Sequence, residues 1–482
     1  MSHVNEADSR GLPKIIVGEV PPRTTTDLKT EQGRIYFGER TNNYIVVGAG
    51  IKEFDYPLGQ KNAEYEYTGK AGIPVKSLFR RLAFAIRMPE GGQILFSRYI
   101  TPDSKVVIRR DIMTRLTKIA PFLSFDGDPY PVLVDGRVKW VADAYTHSEY
   151  YPYSQPLGDG TNYLRNSVKA VIDAYDGTTT LYAFDPKDPM LKAWSGIYPD
   201  LFTPADKIPM EIREHFRYPT GLFVPQAEVY KTYHMTDPRV FYNKEDSWEI
   251  PGAKSGREMQ PFFVLMRLPG EPNEHFYLMQ PYTPRNRDNM IGWVAANSDP
   301  ERYGERTVYL FPKERVVLGP EQIMAQVNQD AQISPQLSLW NQRGSRAIFG
   351  NMLVIPIKDS IVYIMPLYLE AEQTAIPQLT KVIVSYADKI EMEDTLEQAL
   401  LKVFGAESFA GQPSAPATVT PDGSIPTTGT PVAGDVRRAQ ELYQQAVEAQ
   451  RKGDWATYGK RLQDLGTILS RLAGQEATAT PK

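Results

Sequence analysis

Two stretches of this sequence, each built around an Asp-Gly pair, decide the fold class. The first is Val132-Leu-Val-Asp-Gly-Arg-Val-Lys-Trp-Val141, in which Asp135-Gly136 separates two runs rich in β-branched residues. The second, residues 167–184, repeats the arrangement around Asp176-Gly177. Because Asp-Gly accepts the positive φ angles of a tight turn, each stretch predicts an antiparallel β-hairpin.

The two predicted hairpins also share an eight-residue pattern. Residues 138–145 and 168–175 both read V-K-x-V-x-D-A-Y. Two hairpins in one sheet would produce such a match, and so would a duplication whose remaining sequence has since diverged. One short match does not distinguish these two origins.

Helical and strand patterns alternate irregularly on both sides of these hairpins. Apolar residues at helical spacing predict helices over residues 77–88, 111–119, 188–197, 321–329 and 394–404. Short β-rich runs predict strands over residues 93–99, 293–297, 307–311 and 382–386. The pattern predicts an α+β fold, with mixed, largely antiparallel sheets and helices inserted between hairpins.

We expect the chain to have four parts. We expect two α+β lobes, residues 1–250 and 251–405. Residues 406–434 are nearly all Gly, Pro, Ser, Thr and Ala, which predicts a disordered linker. Residues 435–473 carry apolar side chains at helical spacing on either side of Gly453-Asp454, which predicts a helical hairpin. Two helices bury little area alone, so we expect this hairpin to dock on a partner or to self-associate.

The overall composition limits the class of protein. Hydrophobic residues make up 41% of the 482 residues and charged residues 23%, as in ordinary globular proteins. The net charge of −4 argues against nucleic acid as a partner. The absence of cysteine excludes disulfides and thiolate metal sites. No stretch reaches the roughly 18 apolar residues that a membrane span needs, so the chain alone is predicted to be soluble.

Several longer strings resemble the uncharacterised protein family 0182. They run in order over about residues 11–405 and include Ile35-Tyr-Phe-Gly-Glu, Lys118-Ile-Ala-Pro-Phe-Leu-Ser-Phe-Asp-Gly-Asp-Pro-Tyr, Thr283-Pro-Arg-Asn-Arg-Asp-Asn-Met and Leu339-Trp-Asn-Gln-Arg-Gly-Ser-Arg. The resemblance implies a bacterial integral membrane protein, in which several transmembrane helices precede a large extracytoplasmic region. We therefore expect this chain on the extracytoplasmic side of the cell membrane, with the membrane helices lying outside it. The resemblance supplies no activity and no functional residue.

The first candidate site is acidic. Asp126 and Asp128 are one residue apart, and Asp143 and His147 follow closely. Oxygen-rich spacing of this kind suits a hard cation such as calcium. Prolines interrupt the calcium-loop pattern and no glutamate closes it, so no metal site is predicted. The alternative roles for the two aspartates are turn formation and capping.

The second candidate site is rich in tyrosine. It follows Asp143 and contains His147, Glu149, Tyr151 and Tyr153. Tyrosine rings beside carboxylates suit a saccharide or peptide groove, and a facing Asp–Glu pair supports glycoside hydrolysis. The alternative is a tyrosine-rich loop that packs against the sheet.

Two further segments are dense in hydrogen-bond donors. One carries Arg285, Arg287 and Asp288, and the other carries Arg343 and Arg346. Such segments suit carboxylate or phosphate ligands, whereas the structural alternative is polar bracing between the lobes.

The familiar catalytic motifs are missing from the sequence. It has no Walker loop, no H-E-x-x-H and no G-x-S-x-G, and no two of its five histidines have metal-ligand spacing. We therefore expect no cofactor and favour a non-enzymatic envelope module that binds a polymer, a lipid or another protein. Two alternatives stay open: a glycan-directed hydrolase or transferase with paired carboxylates, and the external domain of a transporter.

Overall fold

The computed structural model describes most of residues 2–405. The described residues are 2–7, 13–15, 17–24, 26, 28–89, 91–253, 256, 258–268, 270–312, 314, 316–342, 344–357, 360–371 and 374–405. The helices are α1 (Leu78–Arg87), α2 (Gly92–Phe96), α3 (Ile112–Ile119), α4 (Pro189–Ile197), α5 (Met210–Arg213), α6 (Thr220–Tyr233), α7 (Pro238–Asn243), α8 (Pro320–Gln329), α9 (Ile333–Trp340) and α10 (Leu396–Phe404), with a 3₁₀ turn at Ala205–Lys207.

The described strands range in length from two to 13 residues. They are β1 (Ser2–Ala7), β2 (Pro13–Ile15), β3 (Val17–Gly18), β4 (Arg23–Thr24), β5 (Ile45–Val47), β6 (Glu53–Leu58), β7 (Lys61–Tyr65), β8 (Ile73–Pro74), β9 (Lys105–Val107), β10 (Ser124–Phe125), β11 (Tyr130–Val134), β12 (Arg137–Ser148), β13 (Tyr163–Asp173), β14 (Thr179–Ala183), β15 (Phe202–Pro204), β16 (Trp248–Glu249), β17 (Phe262–Met266), β18 (His275–Pro284), β19 (Gly292–Asn297), β20 (Arg306–Leu310), β21 (Ser345–Phe349), β22 (Leu353–Ile357), β23 (Ser360–Ala371), β24 (Thr374–Tyr386) and β25 (Lys389–Glu393).

A six-stranded sheet contains both predicted hairpins. Its strands run in the order β10-β12-β13-β14-β15, and β11 also pairs with β12. All neighbours are antiparallel except β14 and β15. Asp135 and Gly136, with φ of 51° and 68°, form the turn between β11 and β12, and β13 and β14 form the second hairpin. Both hairpin predictions are confirmed.

The two copies of the eight-residue pattern lie on neighbouring antiparallel strands, β12 and β13. Val141 is opposite Val171, Asp143 is opposite Lys169, and Lys139 is opposite Asp173. The acid of each copy therefore faces the lysine of the other across the strand pair.

Both faces of this sheet are buried. On one face, Ala142 and Ile172 pack with Leu116 of α3 and Leu191 of α4. On the other face, Val141 and Val171 pack with Tyr182, Ile208, Ile212 and Phe216. Polar residues near the middle of β12 and β13, such as Asp143 and Lys169, are consequently in the protein interior.

Two five-stranded sheets follow. One has the order β16-β18-β19-β20 with β17 paired to β18, and the other has the order β21-β23-β24-β25 with β22 paired to β23. The two sheets share a core with α8 and α9, which includes Tyr277, Trp293, Ile323, Leu337 and Leu367. Helix α10 covers the outer face of β24 through Ala399 and Val403.

The α+β prediction is confirmed, but one element is wrong. Residues 93–99 were expected to form a strand, whereas α2 is a short helix whose Ile94 is buried against Val75 and Val106. A single short apolar run does not distinguish a strand from a buried helical turn, so packing decides it.

The predicted division of the chain is not settled by these elements. Phe223 of α6 packs with Leu278 and Tyr282 of β18, so one core contains residues from both sides of position 250. The two-lobe boundary stays a prediction. The expected linker, residues 406–434, and helical hairpin, residues 435–473, lie outside the described residues. Among the described helices, none is long and apolar enough to cross a membrane.

Candidate functional site

A groove of about 320 Å³ lies between the loop that follows β12 and helix α6. One wall consists of residues from the loop and the start of β13, including Gln155, Asn162 and Tyr163. The opposite wall consists of residues from one side of α6, and Arg306 of β20 also lines the groove. We call this the tyrosine groove, because Tyr163, Tyr230 and Tyr233 supply its aromatic surface.

The loop wall is held in place by the side chain of Asn162. Its Oδ1 accepts a hydrogen bond from the backbone N of Tyr151 at 2.9 Å, and its Nδ2 donates to the carbonyl of Tyr151 at 2.8 Å. The backbone N of Leu157 donates to the carbonyl of Thr161 at 2.8 Å and closes the tip of the loop. These bonds satisfy backbone groups that would otherwise need water, and they give the wall a defined shape.

Tyr163 is anchored at both its hydroxyl and its ring. The hydroxyl donates to Asp188 Oδ1 at 2.5 Å, and the ring stacks on that of Tyr151 with centroids 5.5 Å apart. Asp188 Oδ2 also accepts from the hydroxyls of Thr146 and Ser167, at 2.6 and 2.7 Å. Partial burial and the bond to Asp188 raise the pKa of Tyr163 to about 12, so its phenol is neutral at physiological pH.

The α6 wall is formed by residues of the helix that are not fully buried in the core. Phe223 and Ala227 are its buried residues. Five of the α6 residues that line the groove follow one another at spacings of four, three, one and three positions along the helix. They are Leu222, Gln226, Val229, Tyr230 and Tyr233. The Tyr233 side chain is 53% exposed, so its ring is available to a ligand.

Polar donors lie beside these rings. Gln226 accepts the hydroxyl proton of Tyr218 at Oε1 over 2.8 Å, and its Nε2 donates to no described residue. Arg306 is exposed and forms no ion pair within the described part of the chain. The groove therefore combines aromatic faces with amide and guanidinium donors, an arrangement that suits a neutral ligand rich in hydroxyl groups.

Only part of the predicted tyrosine-rich segment reaches this groove. Tyr151 contributes by stacking on Tyr163. Tyr153 is fully exposed with a φ of 58°, and Glu149 is exposed. His147 is also exposed, and its Nδ1 lies 3.1 Å from Ser124 Oγ. Tyr163, Tyr230 and Tyr233 were missed, because they lie in segments that show no local motif.

The three predicted aspartates come together beside α6. The backbone N of Asp126 donates to the carbonyl of Asp143 at 2.8 Å. Asp126 Oδ2 accepts from the Tyr145 hydroxyl and from the backbone N of Gly221, the latter at 3.1 Å. Asp128 forms an ion pair of 2.8 Å with Arg217. Within the described part of the chain, no group of three or more His, Asp or Glu side chains could hold a metal ion.

Asp143 belongs to a buried ion pair with Lys169, a residue that sequence reasoning missed. Lys169 Nζ contacts Asp143 Oδ1 and also donates to the hydroxyl of Tyr303 at 2.6 Å. The rings of Phe184, Phe216 and Tyr303 surround Nζ at 5.2, 5.3 and 4.9 Å.

Burial disfavours the ionised form of both side chains in this pair. It raises the pKa of Asp143 and lowers the pKa of Lys169, whereas their mutual attraction works in the opposite direction for both. Burial also raises the pKa of Tyr303, which is therefore a neutral phenol. The one sequence signal for Lys169 was the repeated octet, and it becomes informative only when the strand register is known.

The two donor-dense segments lie on different sheets. Arg285, which follows β18, is 3.8 Å from Glu249, and both Arg287 and Asp288 are exposed. Arg346 of β21 forms an ion pair of 2.8 Å with Glu370. Arg343 lies outside the described residues.

A model of the Uncharacterised protein family (UPF0182) matches residues 1–340. The chain belongs to this family. UPF0182 proteins of Sulfurovum sp. (strain NBC37-1) and Geobacter sp. (strain M21) are each 44% identical to it, over 489 and 471 residues. A UPF0182 protein of Desulforamulus reducens is 45% identical over 484 residues. No solved structure matches the chain.

The UPF0182 relatives are longer than this chain. The three alignments cover 100%, 98% and 98% of the chain but 53%, 52% and 52% of the relatives, so the chain spans about half their length. The UPF0182 match includes the tyrosine groove and the Lys169–Asp143 pair, whereas the sheet β21–β25 lies beyond it.

Proposed function

We propose that this UPF0182 chain is the extracytoplasmic part of a bacterial membrane protein and that its tyrosine groove binds a polyhydroxylated polymer of the cell envelope. The observation that carries the proposal is a groove lined by Tyr163 on one wall and the tyrosines of α6 on the other, together with amide and guanidinium donors. Aromatic rings stack on the apolar faces of sugar rings, and the donors bind their hydroxyl groups.

The length of the relatives supports the placement at a membrane. About half of each relative lies outside the aligned region, which leaves ample length for membrane segments. The family resemblance implies the same arrangement. A binding domain of this kind would serve an envelope assembly or, equally, the capture step of a transporter.

Glycan hydrolysis is the second candidate, favoured by the proximity of Asp126 and Asp143. A general acid must reach the oxygen that it protonates. Asp143 is 4% exposed and paired with Lys169, and Asp126 accepts three hydrogen bonds from the protein itself. Glu149 is not part of this group. The geometry therefore supports binding better than hydrolysis.

Isothermal titration calorimetry with oligosaccharides of N-acetylhexosamines tests the proposal. Tyr233→Ala removes an exposed ring from the groove, and a lost aromatic stack of about 1.4 kcal/mol lowers affinity about tenfold. Tyr242→Ala is the matched control, since Tyr242 is exposed on α7 and does not line the groove.

Two results would contradict the proposal. One is the absence of binding by the parent chain, and the other is equal affinity of the parent and the Tyr233→Ala variant. Release of new reducing ends during the incubation would favour the hydrolase instead, provided that Asp126→Asn abolishes it.

A further inference from the structure

Helix α1 presents its apolar side chains to solvent. None of its residues is buried, and Leu78, Phe79, Leu82 and Ile86 are 72%, 79%, 44% and 79% exposed. In α2, Phe96 is 83% exposed. An amphipathic helix of a globular domain normally turns its apolar stripe towards the core, so this orientation requires an explanation. We call these five residues the α1–α2 surface.

The opposite side of α1 is attached to the domain. Phe84 packs on the small core that contains Val75 and Ile94. Arg81 Nε donates to the carbonyl of Val75 at 3.0 Å, and Ser77 caps the helix by accepting from the backbone N of Arg80 at 3.3 Å. The outward orientation of the apolar residues is therefore fixed by specific contacts.

The sequence segment that contains this surface has a positive charge. Residues 67–102 contain six basic residues and one acidic residue, Glu90, although the chain as a whole has a net charge of −4. Arg80, Arg87 and Arg98 are exposed, and none forms an ion pair within the described part of the chain. Exposed cations beside exposed apolar side chains are the pattern of helices that lie on anionic membranes.

A large cleft opens beside the same helices. Its volume is about 1110 Å³, and its lining combines apolar residues such as Phe84, Ile94 and Ile100 with the guanidinium groups of Arg87 and Arg109. A lining that combines apolar residues with cationic groups suits an acyl chain and its phosphate head group.

We infer that the α1–α2 surface lies on an anionic lipid bilayer. The five apolar side chains of this surface enter the interfacial layer of the bilayer, and the guanidinium groups around them bind lipid phosphates. A second copy of the chain is a poorer occupant, because a two-fold interface would place the same cationic residues of both copies against each other. This inference does not rest on polymer binding in the tyrosine groove.

Cosedimentation of the chain with vesicles tests this inference. We expect binding to vesicles of phosphatidylcholine and phosphatidylglycerol to be at least about tenfold tighter than to phosphatidylcholine alone, and to weaken as salt is added. The double variants Phe79→Ser/Ile86→Ser and Arg80→Glu/Arg87→Glu should each lose at least about tenfold in binding. Tyr242→Ser and Lys187→Glu change an exposed aromatic residue and an exposed cation elsewhere, and should bind as the parent does.

Circular dichroism confirms in advance that each variant is folded. The inference is overturned if the parent does not bind anionic vesicles, if it binds neutral vesicles equally well, or if either double variant binds like the parent. It is also overturned if sedimentation velocity shows a parent dimer that Phe79→Ser/Ile86→Ser dissociates, since the surface would then join two copies.

Discussion

Replacement of Lys169 by methionine is the sharpest test of the buried ion pair. Methionine keeps most of the length of the apolar stem and removes the ammonium group. Asp143, at 4% exposure, then lies in the interior without a cation. The Tyr303 hydroxyl keeps a partner, because it also donates to the carbonyl of Arg217 at 3.1 Å. The largest perturbation is therefore the unpaired charge of Asp143, and the contacts of the ammonium group with the Arg217 carbonyl and three aromatic rings are lost with it.

The protonation of Asp143 limits the energetic cost. Burial raises the pKa of Asp143, so we expect the isolated carboxyl to take up a proton at pH 7, against an ordinary pKa of about 3.9. The solution pH then lies about three units above the ordinary pKa, and each unit costs about 1.36 kcal/mol. Protonating the carboxyl therefore costs about 4 kcal/mol. We expect the free energy of unfolding to fall by about 3–4 kcal/mol, as is typical when one partner of a buried pair is removed.

The variant should also regain stability in acid. With the folded pKa of Asp143 raised above its unfolded value, the folded state binds more protons than the unfolded state between those two values. The unfolding free energy of Lys169→Met relative to the parent should therefore recover by up to about 2.7 kcal/mol as the pH falls from 7 to 5.

Urea unfolding at the two pH values, followed by tryptophan fluorescence, measures these differences. The double variant Asp143→Leu/Lys169→Met is the control, because an apolar pair of similar volume should restore most of the lost stability. A loss below about 1 kcal/mol in Lys169→Met, or a loss independent of pH, would refute the reasoning.

Two further predictions concern single side chains. Asp188→Ala should lower the free energy of unfolding by about 2–4 kcal/mol, because it removes the cap of α4 and leaves three hydroxyls without their acceptor. Burial raises the pKa of Asp188, but these hydrogen bonds outweigh it and lower that pKa. In acid denaturation, the stability difference between variant and parent should therefore persist at pH 5. It should disappear as the pH falls through the lowered pKa of Asp188. Gly177→Ala should destabilise by about 1–3 kcal/mol more than Gly59→Ala, because both have positive φ, but only at Gly177 would the added Cβ lie 2.5 Å from the Phe37 ring. Equal thermal midpoints of these two variants would contradict that explanation.

Local chemistry determined the elements that the sequence predicted correctly. Asp135-Gly136 defines a hairpin turn by its accessible φ angles, whatever surrounds it. Ser77 and Asp111 begin α1 and α3 at the expected residues, because a cap needs only a side-chain acceptor three residues before its donor. These signals act within a few residues of each other, so the sequence alone carries them.

Tertiary structure decided the sites, since their parts are distant in sequence. Lys169 meets Asp143 across 26 residues and Tyr303 across 134, and only the register of β12 on β13 brings the first two together. The tyrosine groove similarly exists only where the loop before β13 faces α6. For α1, apolar spacing predicted an amphipathic helix, but it could not predict which side faces the domain. The contacts of Phe84 and Arg81 settle that orientation, because packing depends on neighbours that no local pattern specifies.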